Sequence, residues 1–161
     1  MLKHILIPLD GSLLAERSIE PTKTILRPQG KITLLTVIHN GHVPTPEVQA
    51  ETLADDNPLH QLESYLERVA MNLRLNGYEV NVEIREGEPA PVIADVAIKL
   101  GVEVIVMCTH GRSGLSRLFA GSVISEVLNL TPCPMLVIPN REQERVKENI
   151  PAGEVSPGLA T

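Results

Sequence analysis

The chain has 161 residues, of which 43% are hydrophobic and 21% charged, and its 14 basic and 20 acidic side chains leave a formal charge of −6. This length and balance predict one soluble domain with a buried core and exclude the low hydrophobicity of disordered chains. The negative charge and an aromatic content of only 2% argue against nucleic acid or an anionic membrane as a partner.

Five short apolar runs alternate along the chain with segments of helical spacing, which is typical of a parallel α/β sheet. Most of these runs are apolar at successive positions, as strands covered on both faces must be. The third run alternates apolar and polar residues, so we expect it at an edge of the sheet. The runs occupy residues 4–9, 32–38, 79–85, 102–108 and 135–138.

Apolar residues at steps of three or four predict helices between the runs, on both faces of one doubly wound sheet. The first helix, residues 15–26, contains Pro21, which should kink it or reset its start. The second covers residues 58–76, and two more end before Gly101 and before Thr131. We expect an α/β domain over residues 1–139.

Two segments fall outside this pattern. Residues 39–57 hold two prolines and an acidic cluster, which indicates a long loop, often a functional feature. Residues 140–161 are polar and then rich in proline and glycine, so we expect a tail that frays or packs on a partner.

The two cysteines, Cys108 and Cys133, are too few for a disulfide scaffold and are not spaced like a zinc site. The opening apolar stretch is shorter than a signal-peptide core or a membrane span. We therefore expect a cytoplasmic protein with free thiols and no membrane segment.

Two segments stand where an open parallel sheet binds ligands, beyond the carboxyl ends of its strands. They are residues 8–12 after the first run and 108–114 after the fourth, which leads through Gly121 and Ser122 into a helix. Glycines and a helix N-terminus suit a phosphate, although the same residues also make ordinary turns. The motifs of P-loop NTPases, Rossmann dehydrogenases and α/β-hydrolases are absent from the sequence.

Four segments resemble the universal stress protein family, in order, over residues 2–139. They are ILIPLDGS at 5–12, LTVI at 35–38, MCTHGRSGLSRLFAGSV at 107–123 and TPCPMLVI at 131–138. The resemblance implies a five-stranded parallel sheet of order 3-2-1-4-5, with the Rossmann-like fold shared by adenine nucleotide alpha-hydrolases. It also implies a homodimer formed through the last strand, from Met135 to Ile138.

The nucleotide-binding branch of that family carries the motif Gly-x2-Gly-x9-Gly-Ser/Thr, and here cysteine replaces the first glycine. The resemblance implies that the adenine or ribose end of the nucleotide contacts residues at the ends of the first and second strands. A residue of the fourth strand would flank the base. Backbone N–H groups near the motif glycines and the following helix start would hold the phosphates, with Arg112 and Arg117 adding charge. The implied binding residues are Pro8, Asp10, Val37, Met107, Cys108, Gly111, Arg112, Gly121, Ser122 and Val123.

Several of these residues also have ordinary structural interpretations. Asp10 could only cap the helix that begins near Ser12. His110 is expected to be a turn residue, and His39 and His42 are expected to be solvated, so no metal site is predicted. Cys133 is expected to be a small buried thiol.

The resemblance favours a stress-related sensor that binds ATP, AMP or another adenine nucleotide, with Mg²⁺ accompanying the phosphates. The bound nucleotide would stabilise one conformation and so regulate contacts with a protein partner. A second hypothesis is a nucleotide-independent homodimeric interaction module, which Cys108 favours. Slow ATP hydrolysis ranks third, because no residue is an evident general base.

Overall fold

The computed structural model describes residues 1–47, 56–109 and 120–140, with the backbone alone at 120–122. Strands and helices alternate along these ranges, as the sequence predicts. The elements are β1 (Leu2–Pro8), α1 (Leu13–Glu16), α2 (Ile19–Ile25), β2 (Leu26–Ile38), α3 (Pro58–Leu75), β3 (Glu79–Glu86), α4 (Pro89–Leu100), β4 (Val104–Thr109), α5 (Ala120–Leu130) and β5 (Met135–Pro139).

The five strands form one sheet of order β3-β2-β1-β4-β5. Every neighbouring pair is parallel. The predicted fold and strand order are therefore confirmed, and β3, with its alternating pattern, does lie at an edge. The order reverses between β1 and β4, so these strands send their connections to opposite sides.

Helices cover both faces of the sheet because successive strand residues point to opposite sides. Ile5 and Ile7 of β1 pack with Leu62 and Leu66 of α3 in one core cluster. Leu6, between them, packs with Ile93 of α4 and other residues in a second cluster. Residues from α1 and α2 pack on the α3 side, and Val127 of α5 packs on the α4 side.

The helix predicted over residues 15–26 is two short helices, α1 and α2, and the reset expected from Pro21 is confirmed. A single helix through Pro21 would lose a backbone hydrogen bond and force the proline ring against the carbonyl of Arg17. Restarting at Ile19 puts Pro21 in the first turn of α2, where an N–H has no partner within the helix.

Strand β2 begins at Leu26, six positions before its predicted start at 32. Pro28 and Gly30 interrupt the apolar pattern there, and Gln29 has a φ of 58°. The pairing of β1 with β2 is irregular between Leu2 and His4, which accommodates this stretch. The added start of β2 is held in the sheet by the pairing of Leu26 with Leu2. It therefore needs no apolar pattern of its own.

The later helices end close to their predicted limits. Asn57 caps α3 by accepting a hydrogen bond from the N–H of Leu59, and Pro58 follows as the first helical residue. Gly101 ends α4 with a φ of 59°, a left-handed conformation that glycine adopts without strain. None of the helices in the described ranges is long and apolar enough to cross a membrane.

Candidate functional site

The carboxyl ends of β1 and β4 define the candidate site, because the two strands are neighbours at the point of reversal. Pro8 ends β1 opposite Leu35. The N–H of Leu9 donates to the carbonyl of Leu35 at 2.8 Å, and the buried hydroxyl of Thr36 donates to the carbonyl of Leu9 at 2.8 Å. These bonds fix the chain just before Asp10, whose side chain is exposed at the edge of the sheet.

The turn from Asp10 to Ser12 is held by hydrogen bonds to one carboxylate oxygen. Asp10 Oδ1 accepts from the N–H of Ser12 at 3.0 Å and from its hydroxyl at 2.5 Å. Ser12 Oγ in turn accepts from the N–H of Ala15 at 3.1 Å. Ser12 is therefore the cap of α1, and the interpretation of Asp10 as that cap is wrong. Asp10 instead accepts a hydrogen bond from the capping side chain.

Residues 43–47, which we call the strap, cross over this turn. The N–H of Glu47 donates to the carbonyl of Gly11 at 2.9 Å, and Glu47 Oε2 accepts from the N–H of Leu13 at 2.9 Å. Gly11 has a φ of +82°, and a Cβ there would lie 3.1 Å from Thr45 O and Pro46 Cα. Glycine is therefore required both by the backbone conformation and by the contact with the strap.

The predicted loop at 39–57 thus contains defined structure in its described part. His39 and His42 pair across a tight turn in which Asn40 and Gly41 have positive φ. Val43 packs against the core cluster on the α3 side. Sequence inspection did not single out Glu47, because a lone glutamate beside prolines carries no pattern that would reveal its contact with Leu13.

Three predicted site residues come together on the α4 side of the sheet. Val37 from β2, Met107 from β4 and Val123 from α5 are partly buried and pack against the same core cluster. We call these three residues the apolar wall, because each lies near the carboxyl end of its strand or in the first turn of α5. Side-chain alternation along β4 sends Cys108 to the opposite face, so it is separated from this wall.

Cys108 is half-buried, and burial raises the pKa of its thiol to about 11, an effect that the nearby charge of Arg17 only partly offsets. Arg17 Nη1 donates to Asn140 Oδ1 at 2.7 Å, and the N–H of Asn140 donates to the carbonyl of Thr109 at 3.1 Å. Arg17 therefore ties α1 to the ends of β4 and β5, a role that no sequence motif indicated.

Cys133 is half-buried and its thiol donates to the carbonyl of Val102 at 3.4 Å. The thiol that the sequence predicts to be buried is therefore only partly buried. Burial raises the pKa of Cys133 as well. Both cysteines are free thiols, and the raised pKa values keep them protonated near neutral pH.

Carboxylates and arginines both surround α1, where Arg68 Nη2 lies 3.9 Å from Glu16 Oε1. Burial raises the pKa of the Tyr65 hydroxyl above its ordinary value, and the negative charges of Glu16 and Asp10 raise it further. Glu47 adds a third carboxylate beside the start of α1.

The histidine turn has partners of its own. His39 Nδ1 lies 3.5 Å from a carboxylate oxygen of Glu88, and its Nε2 lies 2.9 Å from the side-chain nitrogen of Asn40. His39 is thus not simply solvated, whereas His42 is exposed. Among residues 1–47, 56–109 and 120–140, no group of three or more His, Cys, Asp or Glu side chains could hold a metal ion.

The predicted phosphate contacts lie mostly outside the described residues. Gly111 and Arg112, with Arg117 and His110, lie outside the described residues. Gly121 and Ser122 fall in the first turn of α5, where the backbone alone is described. Their roles toward phosphate stay predictions.

Fold and site together define a class: a doubly wound α/β protein whose strand order reverses between β1 and β4, with an apolar wall and exposed carboxylates at the carboxyl ends of the strands. The model of the universal stress protein family matches residues 1–139. The chain belongs to that family.

Relatives support the same assignment. The chain is 31% identical over 140 residues to universal stress protein Sll1654 of Synechocystis, covering 86% of this chain and 87% of that protein. The structure of protein MJ0577 superposes with a TM-score of 0.60 at 26% identity, over 88% of this chain and 99% of that one.

Two structures of lower identity share the fold and contain nucleotides. A universal stress protein in complex with cAMP has a TM-score of 0.61 at 15% identity, over 86% of this chain and 97% of that chain. The universal stress protein from Archaeoglobus fulgidus in complex with dAMP has a TM-score of 0.57 at 17% identity, over 86% of this chain and 98% of that chain.

Proposed function

We propose that this protein binds an adenine nucleotide, with ATP as the leading ligand, at the carboxyl edge of β1 and β4. The observation that carries the proposal is that the apolar wall, Val37 with Met107 and Val123, and the exposed carboxylate of Asp10 lie at the carboxyl ends of neighbouring strands. A planar base suits the wall, and a hydroxylated sugar suits the carboxylate. Family members that contain cAMP and dAMP support the same class of ligand.

The chemistry of the described residues fits the nucleoside half of such a ligand. Pro8 and the end of β2 border the crevice beside Met107. Cys108, in place of the motif glycine, lies on the other face near Arg17, so its side chain does not narrow the wall. The substitution is therefore compatible with nucleotide binding, which weakens the main reason for a nucleotide-independent module.

The phosphates would lie toward α5. Its 11 residues begin at Ala120, and a helix start carries partial positive charge and free N–H groups. Gly111, Arg112, Gly121 and Ser122 are the proposed contacts there. Mg²⁺ would be held mainly by the phosphates and water, because the described residues include no carboxylate cluster for it.

The ligand would act as a conformational clamp in a cytoplasmic stress sensor. A ligand that binds only the folded state adds about 2.7 kcal/mol when its concentration is 100 times Kd. For a domain of this size that free energy raises Tm by roughly 5–11 °C. The protein would thus respond to nucleotide concentration without turning the nucleotide over.

Two measurements test the proposal. Mass spectrometry of material released from the denatured, purified protein should detect an adenine nucleotide, and ATP should raise Tm where GTP does not. The Asp10→Ala variant should lose most of the shift, whereas the matched Asp95→Ala variant, at an exposed ion pair with Lys99 on α4, should keep it. Absence of both released nucleotide and thermal shift in the wild type would leave the nucleotide-independent module as the better hypothesis.

We also propose that two copies associate through β5. This strand lies at the sheet edge, paired with β4, and its apolar residues from Met135 to Ile138 are only half-buried. An edge strand of this kind offers unpaired backbone groups to a second strand.

The Val137→Lys variant should be monomeric by light scattering if β5 forms the interface. Ile98→Lys is the control, because Ile98 is an apolar residue on α4, 56% exposed and away from that edge. A dimer that survives Val137→Lys and dissociates with Ile98→Lys would move the interface to the α4 surface.

A further inference from the structure

The Asp10 carboxylate has two oxygens in different situations. Oδ1 accepts both hydrogen bonds from Ser12, at 3.0 Å from the N–H and 2.5 Å from the hydroxyl. Across the described ranges, 1–47, 56–109 and 120–140, Asp10 Oδ2 accepts no hydrogen bond from the protein. An exposed carboxylate oxygen with both lone pairs available is an acceptor for hydroxyl groups.

Ser12 is itself fixed in place. Its hydroxyl donates to Asp10 and at the same time accepts from the N–H of Ala15 at 3.1 Å, so it cannot rotate without losing one of the two bonds. The strap holds the backbone of the same turn through Glu47, which bonds Gly11 and Leu13. The orientation of the Asp10 carboxylate is therefore decided by Ser12, on a turn whose backbone the strap restrains.

We infer that Ser12 is a positioning residue that orients Asp10 Oδ2 toward the sugar hydroxyls of the bound nucleotide, and so makes the site selective for ribonucleotides. The inference rests on the proposed function. It adds that sugar selectivity depends on a side chain that does not touch the ligand.

The expected effect follows from one charge-assisted hydrogen bond. Asp10 should accept a hydrogen bond from either the 2′ or the 3′ hydroxyl of AMP. Wild-type protein should bind AMP about tenfold more tightly than the deoxynucleotide that lacks this hydroxyl, which is 2′-deoxy-AMP or 3′-deoxy-AMP. In Ser12→Gly the carboxylate loses its hydroxyl partner and turns more freely. The Kd for AMP should then rise by roughly that factor, while the Kd for the discriminated deoxynucleotide changes less than about twofold.

Titration calorimetry with AMP, both deoxynucleotides and IMP separates the outcomes. Glycine is a tolerable N-cap, so Ser12→Gly keeps most of the stability of α1, and Ser12→Thr retains the hydroxyl and should restore selectivity. Denaturation midpoints of the three proteins report folding separately from binding.

Each other result overturns the inference in a distinct way. Equal weakening of AMP and deoxynucleotides in Ser12→Gly would make Ser12 a structural cap only. Wild-type protein that binds all of the AMP analogues equally, or that rejects IMP instead, would show that Asp10 does not read the sugar. Wild-type protein that binds none of these ligands, nor ATP, would overturn the proposed function and the inference together.

Discussion

Replacement of Gly11 by alanine should detach the strap from the turn that carries Asp10. The φ of +82° costs a non-glycine residue about 1–2 kcal/mol. In addition, the new Cβ would lie 3.1 Å from backbone atoms of Thr45 and Pro46, which have to move away. That movement weakens the two hydrogen bonds of Glu47, which at this exposed surface contribute about 1 kcal/mol together.

The expected loss for Gly11→Ala is therefore about 2–3 kcal/mol in the free energy of unfolding. Gly77→Ala is the matched control, because Gly77 has a φ of +89° and nothing lies within 4 Å of its Cβ position. The control should lose only the conformational cost, about 1–2 kcal/mol. The difference of about 1 kcal/mol corresponds to roughly 2–4 °C in Tm.

Urea denaturation measures the two free energies, and hydrogen exchange at the Glu47 amide reports the strap directly. That amide donates to Gly11, so it should exchange faster in Gly11→Ala and at the wild-type rate in Gly77→Ala. Equal losses of stability together with unchanged exchange at Glu47 would refute the reasoning, since the strap would then tolerate a Cβ at position 11.

Two further predictions concern the core and the thiols. Leu66→Ala, at a fully buried position of α3, should cost about 2–5 kcal/mol in urea denaturation, whereas Leu75→Ala on the same helix, 81% exposed, should cost under about 0.5 kcal/mol; similar losses would contradict the assigned packing. The rate of alkylation of Cys108 should rise with pH up to about 11. The contribution of the Cys108 thiol to stability should fall between pH 9 and 11, because the thiol of the unfolded chain ionises first. A half-maximal alkylation rate at pH 9 in the folded protein would contradict the burial of Cys108.

Local patterns were sufficient for most of the fold. The apolar run around Ile5 to Ile7 and the alternation in β3 each follow from burial on two faces or one, which is a property of neighbouring residues. The two helices replacing residues 15–26 were foreseeable in part, because Pro21 signals a break. The start of β2 was not, since Leu26 joins the strand only by pairing with Leu2, and residues 27–30 form an irregular stretch between the paired positions Leu26 and Lys31.

The candidate site divides in the same manner. Asp10 and Met107 could be proposed from the sequence, because both match segments typical of the family. Asp10 follows the first apolar run, and Met107 lies near the end of the fourth. The bond from Leu13 to Glu47 joins positions 34 apart, in a segment with no periodicity, and nothing local encodes it. The roles of Ser12 as cap and of Arg17 as a link to Asn140 depend equally on side-chain geometry.

The sequence by itself determined an acidic α/β domain, its alternating elements and the segments that could carry a ligand site, because hydrophobic periodicity and turn residues act over a few positions. Only the tertiary structure decided which residues meet. The strand order and helix packing bring Val37 of β2, Met107 of β4 and Val123 of α5 to the same core cluster. The path of the chain after β2 brings Glu47 back to the turn at Gly11. Both depend on contacts between distant segments, which local spacing does not specify.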